Sequence, residues 1–241
     1  MNSWQPLTHT DAREVLDHPD RLHIASDADL KEVLLISLER FQAALKQSPD
    51  EHLDPLWRCE GANHARENFA HNDEAALRDQ TKRWLETDLR NSGIFINREV
   101  LRRAGSALDL FVELSSPTGM TKYTVVIEVK GCWNRDVQTD IRGQLIDRYL
   151  RQNGHRCGIY LVGWFVCPVS PTSKAPKFQS MDAVAARKEL DAWIAVAMAE
   201  DVDVNGVLLD CSRAGKMTSS ISPGRTTRRR RRSPGDSRSS I

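Results

Sequence analysis

Apolar positions change their period several times along this chain, and each change marks an element. Leu30, Val33, Leu34, Leu38, Phe41 and Leu45 recur at helical spacing over residues 27–47, behind a Ser26 or Asp27 cap, and predict an amphipathic helix whose apolar side is packing surface. Residues 48–71 lose that rhythm, carry Pro49 and Pro55, and read as a connector that Leu56 and Trp57 anchor to a core. Helical spacing returns from Glu74 to Arg90, with Leu77, Trp84, Leu85 and Leu89 on the apolar side, and Asn91-Ser-Gly93 stops it. Strands are expected near 94–102 and 107–114, joined by a turn at Ala104-Gly105. A third strand follows at Tyr123-Thr-Val-Val-Ile-Glu-Val-Lys130. A helix from about Asp136 to Gln152, an apolar strand at 157–166, a Pro-rich loop at 168–176, a helix at 182–199 and a strand from Val204 to Asp210 complete the pattern. Strands alternating with helices favour an α/β fold with a mixed central sheet flanked by helices.

The third strand carries the chemistry. A short run rich in β-branched residues reads as a strand buried on both faces, and side chains two apart share a face. Glu128 and Lys130 therefore sit side by side in an environment where unpaired charge costs several kcal/mol, roughly. They must pair or bind something. Asp109 lies one strand earlier, in Ala107-Leu-Asp-Leu-Phe-Val-Glu113. Two carboxylates suit a hard cation, Mg2+ or Mn2+, which takes oxygen ligands and leaves places for water and substrate phosphate. Lys130 beside them suits the orientation of an attacking water and the countering of charge on a scissile phosphate.

At these residues the chain resembles the PD-(D/E)XK nuclease superfamily, in which an Asp on one strand and a Glu-x-Lys on the next form the active centre. The resemblance covers roughly residues 72 to 211. It implies a restriction-endonuclease-like sheet with an N-terminal helical extension, metal ligation by Asp109 and Glu128, and a catalytic Lys130. It further implies a Gln and a Tyr on the following helix, here Gln144 and Tyr149 in Gly143-Gln-Leu-Ile-Asp-Arg-Tyr-Leu150. Four residues separate them, where the RecB-like form of the motif has three. An acidic residue on the helix before the first core strand also belongs to the pattern. Glu74 ranks first as a third metal ligand, ahead of Glu86 and Glu99. Gly131-Cys-Trp-Asn134 and Gly158-Ile-Tyr-Leu-Val-Gly-Trp-Phe165 look like a bacterial branch of uncertain role, some members acting in defence against foreign nucleic acid. The function so implied is metal-dependent hydrolysis of phosphodiester bonds, with DNA as the expected substrate.

Each residue also has a plainer reading. Glu128 and Lys130 can be a charge pair at a strand end, and Asp109 can mark a solvent face. Gln144 and Tyr149 can be bystanders on a helix whose apolar side is Val137, Ile141, Leu145 and Leu150. Trp133 and Trp164, candidates for stacking on an unpaired base, are read as core. The alternative function is a catalytically silent nuclease-like module that binds nucleic acid or a protein partner. The N-terminal helix is one surface on which a protein partner could dock.

Composition narrows the field. Five cysteines scattered over 241 residues, with no Cys-x-x-Cys pair, suggest neither a disulfide framework nor a zinc site. No Gly-x-x-x-x-Gly-Lys-Ser/Thr loop, His-Glu-x-x-His or Gly-x-Ser-x-Gly occurs, which disfavours nucleotide hydrolysis, zinc hydrolysis and serine catalysis. With no signal core and no membrane-length apolar stretch, a cytoplasmic location is expected. The formal charge of +1 hides an asymmetry: residues 215–241 carry +7, leaving −6 on residues 1–214. Three segments result: a helical extension and connector at 1–71, a nuclease-like domain at 72–212, and an Arg-rich tail at 213–241. Little in the tail is apolar, so it is expected to be disordered, with Arg228 to Arg232 free to grip phosphates.

Overall fold

The structure is a computed structural model that describes residues 24–59, 69–90, 92–101, 107–116, 119–166, 177–198 and 200–213. The expected turn at Ala104-Gly105, the loop 168–176 and the Arg-rich segment from residue 214 onward lie outside the described residues.

Helix α1 (Asp27–Gln47) starts where the pattern predicts, with the Ser26 hydroxyl accepting the Asp29 N–H and acidic residues in the first turn. Helix α2 (Glu74–Asp88) is capped by Asp73, which accepts the Ala76 N–H. In the connector between them, β1 (Trp57–Cys59) pairs antiparallel with β2 (Phe69–His71), a ribbon that the irregular sequence does not announce. Leu56 and Trp57 are buried as expected, and the Trp57 indole N–H donates to the Cys211 carbonyl at 3.0 Å.

Five further strands form the central sheet: β3 (Phe95–Leu101), β4 (Ala107–Ser115), β5 (Lys122–Gly131), β6 (Cys157–Trp164) and β7 (Asp203–Asp210), in the order β3-β4-β5-β6-β7. β3, β4 and β5 run antiparallel to their neighbours; β5, β6 and β7 run parallel. A parallel step needs a crossover, and helices α3 (Ile141–Leu150) and α4 (Ala183–Ala197) supply the two. Every residue of β6 is buried, as befits a strand with helices on both faces.

Close approach of helices to the sheet depends on glycine, at Gly206 beneath Leu190 of α4 and at two further points. A Cβ on Gly163 would lie 2.5 Å from Leu77 of α2, and one on Gly158, on the opposite face, 3.2 Å from Leu150 of α3. Helix α1 lies alongside α2, with the Phe41 and Trp84 rings stacked at 5.1 Å and the Ser37 hydroxyl and Arg40 guanidinium both held by Asp88. Leu30, Leu34, Leu38, Phe41 and Leu45 join the same buried core as β5 and β6. The helix that the sequence assigns to an extension is thus a working part of one layer over the sheet. Among the described residues no helix is long and apolar enough to cross a membrane.

Candidate active site

The site lies where two strands part. β4 stays paired with β3 as far as Ala107, but its ladder with β5 ends at Leu110↔Ile127, while β5 runs on beside β6 to Gly131. Beyond that last pair, Asp109 and Glu128 would be the next partners in line. The Asp109 side chain takes the place of the missing ladder bond: its Oδ2 accepts the Val129 N–H at 3.0 Å. The opening faces the C-terminal end of the parallel strands, the usual location of ligand sites in α/β sheets.

Into this opening β5 delivers Glu128 and Lys130, two residues apart on one face. Glu128 is fully buried, and neither of its carboxylate oxygens has a hydrogen-bond partner. The Lys130 ammonium stands 2.8 Å from Glu128 Oε1, an ion pair that favours the charged form of both groups. Its other contacts come from the helix side: Asp140 Oδ2 at 3.0 Å and Gln144 Oε1 at 2.9 Å. Across the opening, Arg78 Nη1 of α2 lies 3.5 Å from Asp109 Oδ1.

Electrostatics follow from this crowding. Burial pushes the Glu128 carboxyl up to about 8, and the neighbouring Asp109 charge pushes the same way. Burial also raises Asp109, against the Val129 N–H and the Lys130 and Arg78 charges that favour its ionised form. For Lys130 burial opposes the charge, but Glu128 and Asp140 outweigh it and hold the ammonium above its ordinary range. Burial raises Tyr149 as well, with the Glu128 charge acting in the same direction. The centre holds more carboxylates than cations, and the surplus falls on Glu128.

Helix α3 brings Gln144 and Tyr149 together across five residues. Residues 141–150 form a π-helix, in which the Arg151 N–H reaches back five residues to the Ile146 carbonyl. That repeat puts residues five apart on one face, and Gln144 Nε2 donates to the Tyr149 hydroxyl at 2.7 Å. Arg142 and Asp147 make a second pair at the same interval, 3.2 Å apart.

The structure gives Glu74 a bracing position. Its Oε1 accepts the Gly131 N–H and the Asn134 amide, both at 2.9 Å, and so ties the start of α2 to the turn that follows β5. That turn is also pinned by Trp133, whose ring folds back over Gly131, where a Cβ would collide with it, and stacks on His71 at 3.5 Å. Trp164 is buried. Both tryptophans are therefore packed, as their plain reading has it. Of the lower-ranked acids, Glu86 pairs with Lys82 on α2, and the side chain of Glu99 on β3 lies outside the described residues.

The chain matches no family model, no curated protein and no solved structure. Its chemistry therefore rests on the residues themselves. Sequence reasoning picked out Asp109, Glu128, Lys130 and Gln144, and the structure brings all four to one end of the sheet. It missed Arg78 and Asp140. Both had a signal: Arg78 stands one helical turn beyond Glu74, and Asp140 four residues before Gln144, so each shares a face with a residue already singled out.

The donor set fits a hard cation only in a particular way. Among the described residues no three His, Cys, Asp or Glu side chains form a group able to hold a metal. What the site offers is Asp109 and Glu128, a pair of carboxylates that leaves the rest of a coordination shell to water and phosphate. Mg2+ prefers this mode of binding.

Proposed function

We propose that the chain is a divalent-metal-dependent nuclease with a restriction-endonuclease-like core of the PD-(D/E)XK type, acting on DNA. The observation that carries this reading is the Glu128 carboxylate: fully buried, partnered only by the Lys130 ammonium at 2.8 Å, and beside a second carboxylate at a gap in the sheet. Two carboxylates buried around one shared ammonium cost stability and need a reason outside the resting fold. A cation is that reason.

Asp109 and Glu128 would hold Mg2+ or Mn2+, which when bound supplies Lewis-acid polarisation of the phosphate and activation of water. The chain's own residues do the rest. Lys130, protonated between Asp140 and Gln144, orients the incoming water and counters charge that gathers on the scissile phosphate. Arg78 offers a second cation on the far side of Asp109. Glu74 keeps the turn after β5 in place, and Tyr149 fixes the Gln144 amide. Defence against foreign nucleic acid is a role consistent with this activity.

One observation favours the alternative, a silent module that binds nucleic acid or a protein. The described residues contain no third acid grouped with Asp109 and Glu128, which leaves the proposed ion dependent on its substrate for a full shell. Cleavage of linear, circular and single-stranded DNA and RNA with Mg2+ or Mn2+, beside EDTA and Lys130→Ala controls, separates the two. Metal-dependent cutting that the variant loses supports the nuclease. Tight binding without cutting on any substrate supports the module.

A further inference from the structure

We propose that an unpaired stretch of nucleic acid lies on the open face of β3 and β4, with one of its bases stacked on the Phe95 ring. For its purpose this rests on the nuclease reading, to which it adds a substrate class: a strand that is single beside the bond to be cut. Its test reads binding and not cleavage.

Register places Phe95 on the side of the sheet that carries the charged centre. Phe95 stands opposite Glu113, and Asn97 opposite Phe111. Partners in a ladder point to one side, as do residues two apart on a strand, so Phe95, Asn97, Phe111 and Glu113 share a side with Asp109. From Glu113 back to Asp109 is about 13 Å along the strand. A nucleic-acid strand that leaves the centre along β4 reaches the ring within a few nucleotides.

The two sides of β3 and β4 differ in cover. Helix α2 packs against the side that carries Ile96, which is buried. Helix α3 lies on the other side, but over β5 and β6, where Leu145 and Leu150 close on Gly158. The turn after α3 reaches Phe111 of β4, whose ring is buried 5.2 Å from that of His155. One strand further out, Phe95 is 64% exposed, the most exposed aromatic ring among the described residues, and Asn97 is exposed as well.

The surroundings of the ring select its partner. A protein, or a second copy of this chain, needs a broad apolar centre at the contact. Among the described residues no other exposed large hydrophobic side chain lies on β3, β4 or β5. The neighbours of Phe95 are polar instead: Asn97, and Lys122, which the register puts on the same side. Lys122 pairs with Glu113 at 2.8 Å but is 62% exposed, and an ion pair so open to water is weak enough for the ammonium to turn to a phosphate. One ring flanked by an amide and an ammonium matches one nucleobase and its backbone. Inside a duplex both faces of a base are taken by its neighbours, so the ring suits an unpaired one.

The experiment is fluorescence anisotropy of a labelled single-stranded DNA and of the blunt duplex of the same sequence. It is run on the full chain in EDTA and, with Mg2+ present, on Lys130→Ala, each with and without a change at Phe95. Phe95→Ala should weaken single-strand binding by about tenfold and leave duplex binding within about twofold. Phe95→Trp should keep the single-strand affinity, whereas Phe95→Leu, apolar without an aromatic face, should lose it as Phe95→Ala does.

Single-strand affinity that survives Phe95→Ala, or that falls equally for the duplex, overturns the proposal. So does affinity retained in Phe95→Leu, which would make the ring a plain apolar contact. A dimer in sedimentation that Phe95→Ala dissociates, or a chain that binds no single strand under either condition, overturns it too. A chain that holds single strands through Phe95 yet cuts nothing with Mg2+ or Mn2+ supports this surface while counting against the nuclease.

Discussion

Two of the described lysines are nearly buried, at opposite ends of the same parallel strands, and they are held in different ways. Lys31 of α1 pairs with Asp203 at the N-terminal end of β7, and the aspartate is half exposed. Nearby, Asp27 accepts the Thr124 N–H at 2.7 Å, and the Thr124 hydroxyl lies 3.1 Å from the His155 ring. These groups have partners, and their effect is to fasten α1 to the sheet. Lys130 at the C-terminal end has two carboxylates and an amide around it, yet the most buried of those carboxylates is left without a hydrogen bond. One end is structural, each of its charges set against a partner. The other stores unmet demand, which is what a binding or catalytic centre requires and a scaffold avoids.

Exchange of roles between the lysines would break this contrast most severely. Lys130→Ala is expected to lower metal-dependent cleavage by about 10³-fold or more, while Lys31→Ala leaves the rate per folded molecule within about twofold; steady-state kinetics on a labelled duplex checks both. If the two variants lose activity equally, the ends are not distinct. Lys31→Ala should instead lower stability by about 2 kcal/mol in urea melts. That is less than for a fully buried pair, because Asp203 can return to water.

The contrast sharpens with pH. Glu128 titrates at the ordinary 4.5 when unfolded and at about 8 when folded. Between those values the folded chain holds a proton that the unfolded chain releases. Stability of the metal-free protein should therefore be greatest below pH 4.5 on this account, fall as pH rises toward 8, and level off above. Asp109, also raised, acts in the same direction. Glu128→Gln should remove much of the decline, melting about 4 to 8 °C higher than the wild type at pH 9 and near it at pH 5. Mg2+ or Mn2+ must displace the same proton, so its stabilising effect in thermal melts should grow from pH 6 to pH 8.5.

The smallest expected effect is on the helix between the two ends. Gly143 has open space around its Cα, and Gly143→Ala should raise stability by about 0.5 kcal/mol while leaving cleavage intact. A loss of cleavage would mean that the methyl group, or the stiffer backbone, disturbs the π-helical register that aligns Gln144 with Tyr149.

Local pattern reached a long way. The period-3.6 runs placed α1, α2 and α4, and the β-branched runs placed β4 to β7, because amphipathic helices and buried strands leave spacing and composition visible in the chain itself. Asp109, Glu128 and Lys130 were legible for the same reason, as charges inside runs that should be dry. The π-helix was not announced, although the apolar positions Val137, Ile141, Leu145 and Leu150 stretch from intervals of four to five, a spacing too long for an α-helix face. The ribbon of β1 and β2 left no signal, since three residues are too few to show a period.

What the sequence determined by itself is the set of elements and the presence of three charges where none should be comfortable. Tertiary structure decided how those charges are shared. The end of the β4 and β5 ladder turns Asp109 onto the Val129 N–H, and the packing of one helix against β5 brings Asp140 and Gln144 onto Lys130. Burial then leaves Glu128 with the Lys130 ammonium as its partner. Hydrogen bonds between residues far apart in the chain depend on distances of a few tenths of an ångström, and only the packing of helices on the sheet sets those.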